Sequence, residues 1–163
     1  MNKAIKLCCI LLVIVLAAAA GWWGTRPYLY MEASGVIITA VPAKADLPFD
    51  IKFIHSVQKT PVEEYLVVGK AAEDIVLQST RYRSFGVGLP FMESDGSFRP
   101  EGDYFIMDNM DRHFPNLSLR TGIGTKLTVT IDGSEYRLYE SYAPGSRIDI
   151  YIAPHYRMFK YLW

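Results

Sequence analysis

Residues 126–139 read KLTVTIDGSEYRLY, and this segment carries the clearest local signal in the chain. Apolar and polar residues alternate on both sides of Asp132 and Gly133, a pair suited to the positive φ angles of a two-residue hairpin turn. The register set by this turn pairs Ile131 with Ser134, Val129 with Tyr136, Leu127 with Leu138, Thr130 with Glu135 and Thr128 with Arg137. One face of the hairpin is therefore predicted to meet a core and the other to meet water.

The same period of two recurs along the chain. After the turn at Pro144 and Gly145, Ile148, Ile150 and Ile152 alternate with polar residues. Four more segments have strand character, namely Phe49 to His55, Val36–Val41, Val62–Val68 and Ile75–Tyr82. We therefore predict seven or more short strands and an all-β fold, either a small antiparallel β-sandwich or a partly open barrel, after one N-terminal hydrophobic helix.

Two segments stand apart from this strand pattern. Residues Glu93 to Asp103 are rich in glycine and charge and are predicted to form the longest loop. After Pro154, the segment Tyr156–Trp163 has a weak helical pattern, although it could also form a strand or cover a sheet edge.

The chain begins with an apolar leader. Leu7–Gly21 carries no charge, and residues 22–24 extend it to about the length that crosses a hydrocarbon core. Lys3 and Lys6 precede it, and the enrichment of cytoplasmic flanks in basic residues predicts that the rest of the chain lies outside the cytoplasm.

Two fates of the leader stay open. Ala17–Ala20 followed by Gly21 resembles a signal cleavage site, whereas Trp22, Trp23, Tyr28 and Tyr30 suit an aromatic belt at a membrane surface and favour a retained anchor. We expect residues 1–26 to be a signal anchor or signal peptide and residues 27–163 to form a single extracytoplasmic β domain. The expected location is the cell membrane with one span, or a secreted or periplasmic state after cleavage.

Composition excludes some functions. Basic and acidic residues number 17 each, so the chain has no net basic field, and a nucleic-acid partner is not expected. Cys8 and Cys9, the only cysteines, lie in the leader, so the folded domain can contain no disulfide.

A first polar group comprises His55, Ser56, Glu63 and Glu64. If His55 pairs near Val62 in a hairpin, His55 and Glu64 lie diagonally on one face. The two groups could then orient a ligand, bind a cation or act as an acid–base pair. Alternatively, the carboxylate only satisfies a partly buried histidine.

A second polar group is the run TRYRSFGVGLP at residues 80–90. Arg81 or Arg83 could grip a carboxylate or a phosphate, and Gly86 and Gly88 permit close backbone approach. The glycine spacing fits neither the dinucleotide fingerprint nor the Walker pattern. The alternative is that the arginines belong to a strand that ends in a bulge or turn.

Other chemistry has little support in the sequence. The spacing of Asp108, Asp111 and His113 matches no metal motif, and no nucleophile elbow or zincin helix is present. We therefore expect no metal and no cofactor.

The run HSVQKTPVEE at residues 55–64, TRY at 80–82, SFGVGLP at 84–90 and LSLRTG at 117–122 together resemble an uncharacterised bacterial family, a domain of unknown function. The genes of that family often lie beside those of TAXI-type TRAP transporters, which import solutes with an extracytoplasmic receptor and an ion gradient. The resemblance covers nearly the whole outward domain. One departure is Val87, where the family has alanine.

The resemblance implies an accessory role near solute uptake. The candidate ligand-binding positions that it carries over are His55, Ser56, Glu63, Glu64, Arg81, Ser84, Gly86, Gly88, Pro90 and Arg120. The leading hypothesis is a non-enzymatic, membrane-tethered module that binds the transporter's receptor, its membrane subunit or a small carboxylate solute. The alternatives are an envelope enzyme that uses His55 and Glu64, and a structural envelope domain, for which the Tyr156–Trp163 segment is the best support.

Overall fold

The computed structural model describes residues 2–85 and 88–161 of the chain. It opens with a helix, α1 (Lys3–Gly24), whose 22 residues are about 33 Å long at about 1.5 Å per residue. That length is close to the roughly 30 Å of a bilayer core. Since none of its residues is buried in the protein, α1 has the length and composition of a single membrane span or of a signal sequence.

Twelve strands follow within the described residues, which confirms the expectation of seven or more. They are β1 (Pro27–Ala33), β2 (Val36–Pro42), β3 (Pro48–Ile54), β4 (Pro61–Val68), β5 (Ile75–Tyr82), β6 (Ser97–Glu101), β7 (Tyr104–Asp108), β8 (Arg112–Phe114), β9 (Asn116–Arg120), β10 (Thr128–Ile131), β11 (Ser134–Arg137) and β12 (Arg147–Pro154). A short helix, α2, spans Leu138–Ser141, and 3-10 helices span Glu93–Asp95 and His155–Tyr161.

The strands form two antiparallel sheets. The small sheet has the order β2-β1-β12-β9. The large sheet has the order β11-β10-β3-β4-β5-β7-β6, and β8 also pairs with β5. The described strands thus form an open sandwich rather than a closed barrel, so the predicted all-β sandwich is confirmed.

One core lies between the sheets. The small sheet contributes Leu29, Met31 and Ile150, and the large sheet contributes Ile51 and Val129, all at most 1% exposed. Burial of each such side chain stabilises the fold by about 1.5–3 kcal/mol. The alternating strands of the sequence therefore hold the two sheets together through their inward residues.

The predicted hairpin at residues 126–139 is confirmed in its register, with Thr128 opposite Arg137 and Ile131 opposite Ser134. Its turn residues, Asp132 and Gly133, have φ angles of 48° and 76°. The second strand ends at Arg137, earlier than the pattern suggests, because the chain bends into α2. The N–H of Leu138 still donates to the carbonyl of Leu127 at 3.0 Å.

The prediction of a loop over residues 93–103 was wrong. This stretch contains a 3-10 helix and β6, which pairs with β7 at the border of the large sheet. All five residues of β6 are exposed, so β6 lacks the apolar alternation that marks a strand in the sequence. Arg99 ties β6 to β7 through a hydrogen bond from Nε to Oδ2 of Asp108 at 2.8 Å, and Pro100 lies next to it.

The expected membrane-surface position of Tyr30 was also wrong. Tyr30 is fully buried because the chain after β12 folds over it. Its ring stacks on Tyr151 with centroids 5.5 Å apart, and its hydroxyl donates to the carbonyl of His155 at 3.3 Å. The C-terminal segment forms a 3-10 helix over His155–Tyr161, and residues 162–163 lie outside the described residues.

The sandwich has a near end and a far end, defined by the position of α1. At the near end β1 begins, β12 ends, and the N–H of Asp46, in the β2–β3 loop, donates to the carbonyl of Val68 at 2.9 Å. The strands β3, β5 and β9 start at the near end and finish at the far end. Strands of seven or eight residues separate the two ends by about 25 Å.

Candidate functional site

The structure groups the candidate residues in three places. Gly86, like Val87, lies outside the described residues. The first place is the far end, where His55 and Ser56 lie in the β3–β4 turn and Ser84, Gly88 and Pro90 lie in the loop after β5. The second is the outer face of the large sheet, which carries Glu63 and Arg81. The third is a cleft between the sheets, which Glu64 and Arg120 line.

The side chain of His55 closes its own turn. Its Nδ1 accepts hydrogen bonds from the backbone N–H groups of Val57 at 3.3 Å and Gln58 at 3.1 Å. Its backbone N–H donates to the carbonyl of Thr60 at 2.9 Å, and Lys59 has a φ angle of 55°. His55 is only 8% exposed. The histidine thus fixes the shape of the turn.

The predicted pairing of His55 near Val62 was wrong by two residues. Phe53 lies opposite Val62, and Glu64 lies opposite Ile51. The hydrogen bonds to the His55 ring tighten the turn, and the ladder runs as far as the pairing of Ile54 with Pro61. His55 and Glu64 are consequently separated along the strands, and the cleft that Glu64 lines does not include His55. The proposed acid–base pair does not form.

The loop after β5 packs against the His55 turn. The hydroxyls of Thr60 and Ser84 lie 2.9 Å apart, and the hydroxyl of Tyr82 donates to the carbonyl of Pro90. Leu89 is buried against Tyr82 and Val62. The two polar groups recognised in the sequence are therefore contiguous at the far end.

A third loop joins them. The backbone N–H of Ile54 donates to the carbonyl of Thr125, in the loop between β9 and β10, at 2.6 Å. Each of the three connected loops exposes an apolar side chain, with Val57 69% exposed, Phe85 52% and Ile123 86%. We call Val57, Phe85 and Ile123 the apolar tip. Sequence reasoning missed it because single apolar residues in loops carry no periodic signal.

Glu63 and Arg81 form a cross-strand pair on the outer face. They lie opposite each other on β4 and β5, with Arg81 Nη1 3.6 Å from Glu63 Oε1. The Arg81 guanidinium stacks 3.6 Å from the ring centroid of Tyr104. The hydroxyl of Tyr65 donates to Glu63 Oε2 at 2.5 Å; burial and this hydrogen bond raise the pKa of Tyr65 to about 12. The arginine expected to grip a ligand carboxylate is already paired with one from its own chain.

Glu64 faces inward, on the same side of β4 as Val62 and Leu66. It lines a cleft of about 310 Å³ together with Ser118 and Arg120 of β9. Among the described residues, none donates a hydrogen bond to its carboxylate. Burial raises the pKa of Glu64, and the charge of Arg112 opposes that rise. The sequence had grouped Glu64 with His55, but the fold groups it with Arg120.

A polar network that sequence reasoning missed lies beside the cleft, on the outward faces of β9 and β12. Ser118 donates to Asp149 Oδ1 at 2.5 Å, and Arg147 Nε donates to the same oxygen at 2.8 Å. Burial alone would raise the pKa of Asp149, but the hydrogen bonds from Ser118 and Arg147 and the charges of Arg147 and Arg120 hold it below its usual value. Arg120 Nη1 donates to the carbonyl of Gly145 at 3.0 Å. These partners meet only through the β9–β12 pairing, which has no local signature.

The acidic residues near His113 are distributed over ion pairs. His113 Nδ1 lies 2.5 Å from Asp74 Oδ2, and its Nε2 lies 3.4 Å from Asp111 Oδ1. Asp108 is instead bonded to Arg99. Within residues 2–85 and 88–161, no group of three or more His, Cys, Asp or Glu side chains is arranged to hold a metal ion.

The chain thus combines an apolar N-terminal helix with an antiparallel β-sandwich whose loops are connected at its far end. Residues 49–138, just over half of the chain, match the domain of unknown function DUF1850, and the chain belongs to that family. No curated protein and no solved structure matches the chain. The resemblance to an uncharacterised family is thus confirmed, whereas its association with TRAP transporters stays a prediction.

Proposed function

We propose that the chain is a membrane-tethered, extracytoplasmic accessory module of a TRAP-type solute uptake system of the TAXI class. In this proposal α1 holds the module in the membrane, and the far-end loops bind the system's solute receptor. The module acts by binding and not by catalysis.

The observation that carries this proposal is the apolar tip. Val57, Phe85 and Ile123 are each more than half exposed, and they lie on loops that direct hydrogen bonds join to one another. Exposed apolar side chains gathered on a fixed set of loops are typical of a protein-binding surface. The loops stand about 25 Å from the near end, which is within reach of a receptor that moves outside the membrane.

The cleft lined by Glu64 and Arg120 is poorly suited to a carboxylate solute, and this favours the receptor as the partner. Arg120 could attract an anion there, but Glu64 lines the same cleft and carries no compensating hydrogen bond from the described residues. An anionic solute in this cleft would face a carboxylate at close range, which costs free energy at low dielectric. We therefore assign the binding function to the loops.

The test is a binding measurement on the full-length chain in a mild detergent. The TAXI-type receptor and the membrane subunit from the same genome are each titrated onto immobilised chain, with small dicarboxylates in a parallel assay. We expect receptor binding that Val57→Asp and Ile123→Asp each weaken about tenfold, because truncated or charged contacts at an interface centre cost more than about 1 kcal/mol.

Val36→Asp is the matched control, because Val36 is 66% exposed at the same end but lies on the border strand β2, with β1 and β12 between it and β9, which leads into the Ile123 loop. It should leave receptor binding unchanged. Absence of receptor binding by the folded chain would reject the proposal, and so would an equal loss in all three variants.

A further inference from the structure

A pocket of about 250 Å³ lies at the junction between α1 and the sandwich. Its walls are Trp23, Arg26 and Tyr28 on one side and Pro42, Ala43 and Lys44 on the other. The N–H of Ala43 donates to the carbonyl of Pro27 at 3.0 Å and holds the two walls together. The pocket is therefore built by the end of α1, the start of β1, and the end of β2 with the two residues that follow it.

The position of this pocket is set by α1. Trp23 lies in the last turn of the helix, and only Thr25 and Arg26 separate α1 from β1. If α1 crosses a bilayer, as the proposed function requires, its length of about 33 Å places Trp23 at the boundary between hydrocarbon and headgroups. The pocket then opens into the headgroup layer.

The aromatic wall is held rigidly. The ring of His155 lies 4.1 Å from the ring of Trp23 and 4.1 Å from the ring of Tyr28, centroid to centroid. The N–H of His155 also donates to the carbonyl of Arg26 at 2.8 Å. The C-terminal 3-10 helix thereby fixes the residues that line the pocket.

The charge of the pocket is positive. Its lining includes the cations Arg26 and Lys44 and no carboxylate. Among the described residues, neither cation forms an ion pair with an acidic side chain. The Arg26 guanidinium lies 3.7 Å from the ring centroid of Trp22, a stacked arrangement that leaves its N–H edges free to meet an anion.

We propose that this pocket binds the phosphodiester of an anionic phospholipid headgroup. Arg26 and Lys44 supply the charge-assisted hydrogen bonds to phosphate oxygens, and Trp23 contacts the apolar part of the lipid. The apolar wall that continues into α1 favours a lipid over free phosphate. The inference rests on the membrane anchoring in the proposed function but not on the receptor.

The experiment uses the full-length chain purified in mild detergent and reconstituted into nanodiscs that contain phosphatidylcholine and phosphatidylglycerol in equal amounts. Native mass spectrometry of the released protein then counts retained lipids. We expect preferential retention of phosphatidylglycerol, and we expect Arg26→Gln and Lys44→Gln each to reduce that preference about tenfold, since each removes a charge-assisted hydrogen bond.

Lys70→Gln is the matched control, because Lys70 is an exposed lysine at the near end outside this pocket. Equal retention of the two lipids, or an equal loss with Lys70→Gln, would overturn the proposal. Displacement of the lipid by millimolar inorganic phosphate would identify a free-phosphate site instead and overturn the lipid assignment. Lipid retention without receptor binding would reject only the proposed function.

Discussion

The hydroxyl oxygens of Thr60 and Ser84 lie 2.9 Å apart and join two loops that are 24 residues apart in the chain. Thr60 ends the turn that His55 shapes, and Ser84 begins the loop that carries Phe85. This hydrogen bond fixes Val57 and Phe85 relative to each other. The binding surface that we propose depends on that arrangement.

Thr60→Val and Ser84→Ala should each lower the free energy of unfolding by about 1 kcal/mol, because each leaves a partly buried hydroxyl without its partner. The double variant should lose less than the sum of the two, with a coupling of about 0.5 kcal/mol or more. Urea unfolding in detergent measures the free energy of unfolding of the parent chain, the two single variants and the double variant, all at full length. Strict additivity would show that the two hydroxyls do not interact.

Glu64→Gln should raise the free energy of unfolding by about 1 kcal/mol at neutral pH, because it removes a charge that is partly buried without a hydrogen-bond donor. The pKa of Glu64 is raised above its ordinary value of 4.5 by burial. Below pH 4.5 the Glu64 carboxyl is protonated in both the folded and the unfolded protein. The stability that follows from the raised pKa is present there and is lost as the pH rises through the raised pKa of the folded protein. The advantage of the variant should therefore shrink as the pH falls toward 4.5.

Glu63→Gln is the control for Glu64→Gln, since Glu63 is the next residue but points to the outer face. It accepts a hydrogen bond from Tyr65 and pairs with Arg81, so its loss should destabilise the chain or leave it unchanged at neutral pH. Thermal unfolding followed across the acid range compares both variants with the parent. A stabilising Glu63→Gln would contradict this assignment of faces.

Gly133→Ala should destabilise the chain by about 1 kcal/mol, because the φ angle of 76° is one that a side chain rarely adopts. Asp132→Asn should change stability by less than about 0.5 kcal/mol, since asparagine before glycine suits the same turn. The midpoints of urea unfolding compare the two. Equal losses would mean that the turn type is not what holds the hairpin.

Gly96→Ala should cost about 3 kcal/mol, because its φ angle of 150° is nearly restricted to glycine and an added Cβ would lie 2.3 Å from the carbonyl oxygen of Asp108. Gly102→Ala is the matched comparison. Gly102 has a φ angle of 59° but open space around it, so the cost should be about 1 kcal/mol. Similar losses in the two variants would argue against close approach of β7 at Gly96.

The parts of the fold that the sequence predicted are those with local causes. The hairpin at Asp132 and Gly133 was predicted in its register because its turn and its alternation lie within a few residues. The border strand β6 was missed because it is exposed on both faces and is held by its neighbour β7. Burial of Tyr30 was missed for a related reason, since the covering residues come from the other end of the chain.

The sequence predicted which residues belong to the candidate site but not which of them lie next to each other in the fold. The sequence identified both the His55 turn and the loop after β5, and their contiguity follows from the β4–β5 pairing. However, the β3–β4 register differs by two residues from the expected one, and His55 is therefore separated from Glu64. The neighbours of Glu64 across the cleft, Ser118 and Arg120, come from a strand of the other sheet, and no local pattern connects them.

The strand β6 has a consequence for association between copies of the chain. It forms the rim of the large sheet, where Pro100 offers no N–H and Arg99 and Glu101 bring charge to an otherwise open ladder. Such a rim discourages lateral addition of another molecule's strand. At this rim, neighbouring copies of the chain are therefore hindered from joining their sheets edge to edge.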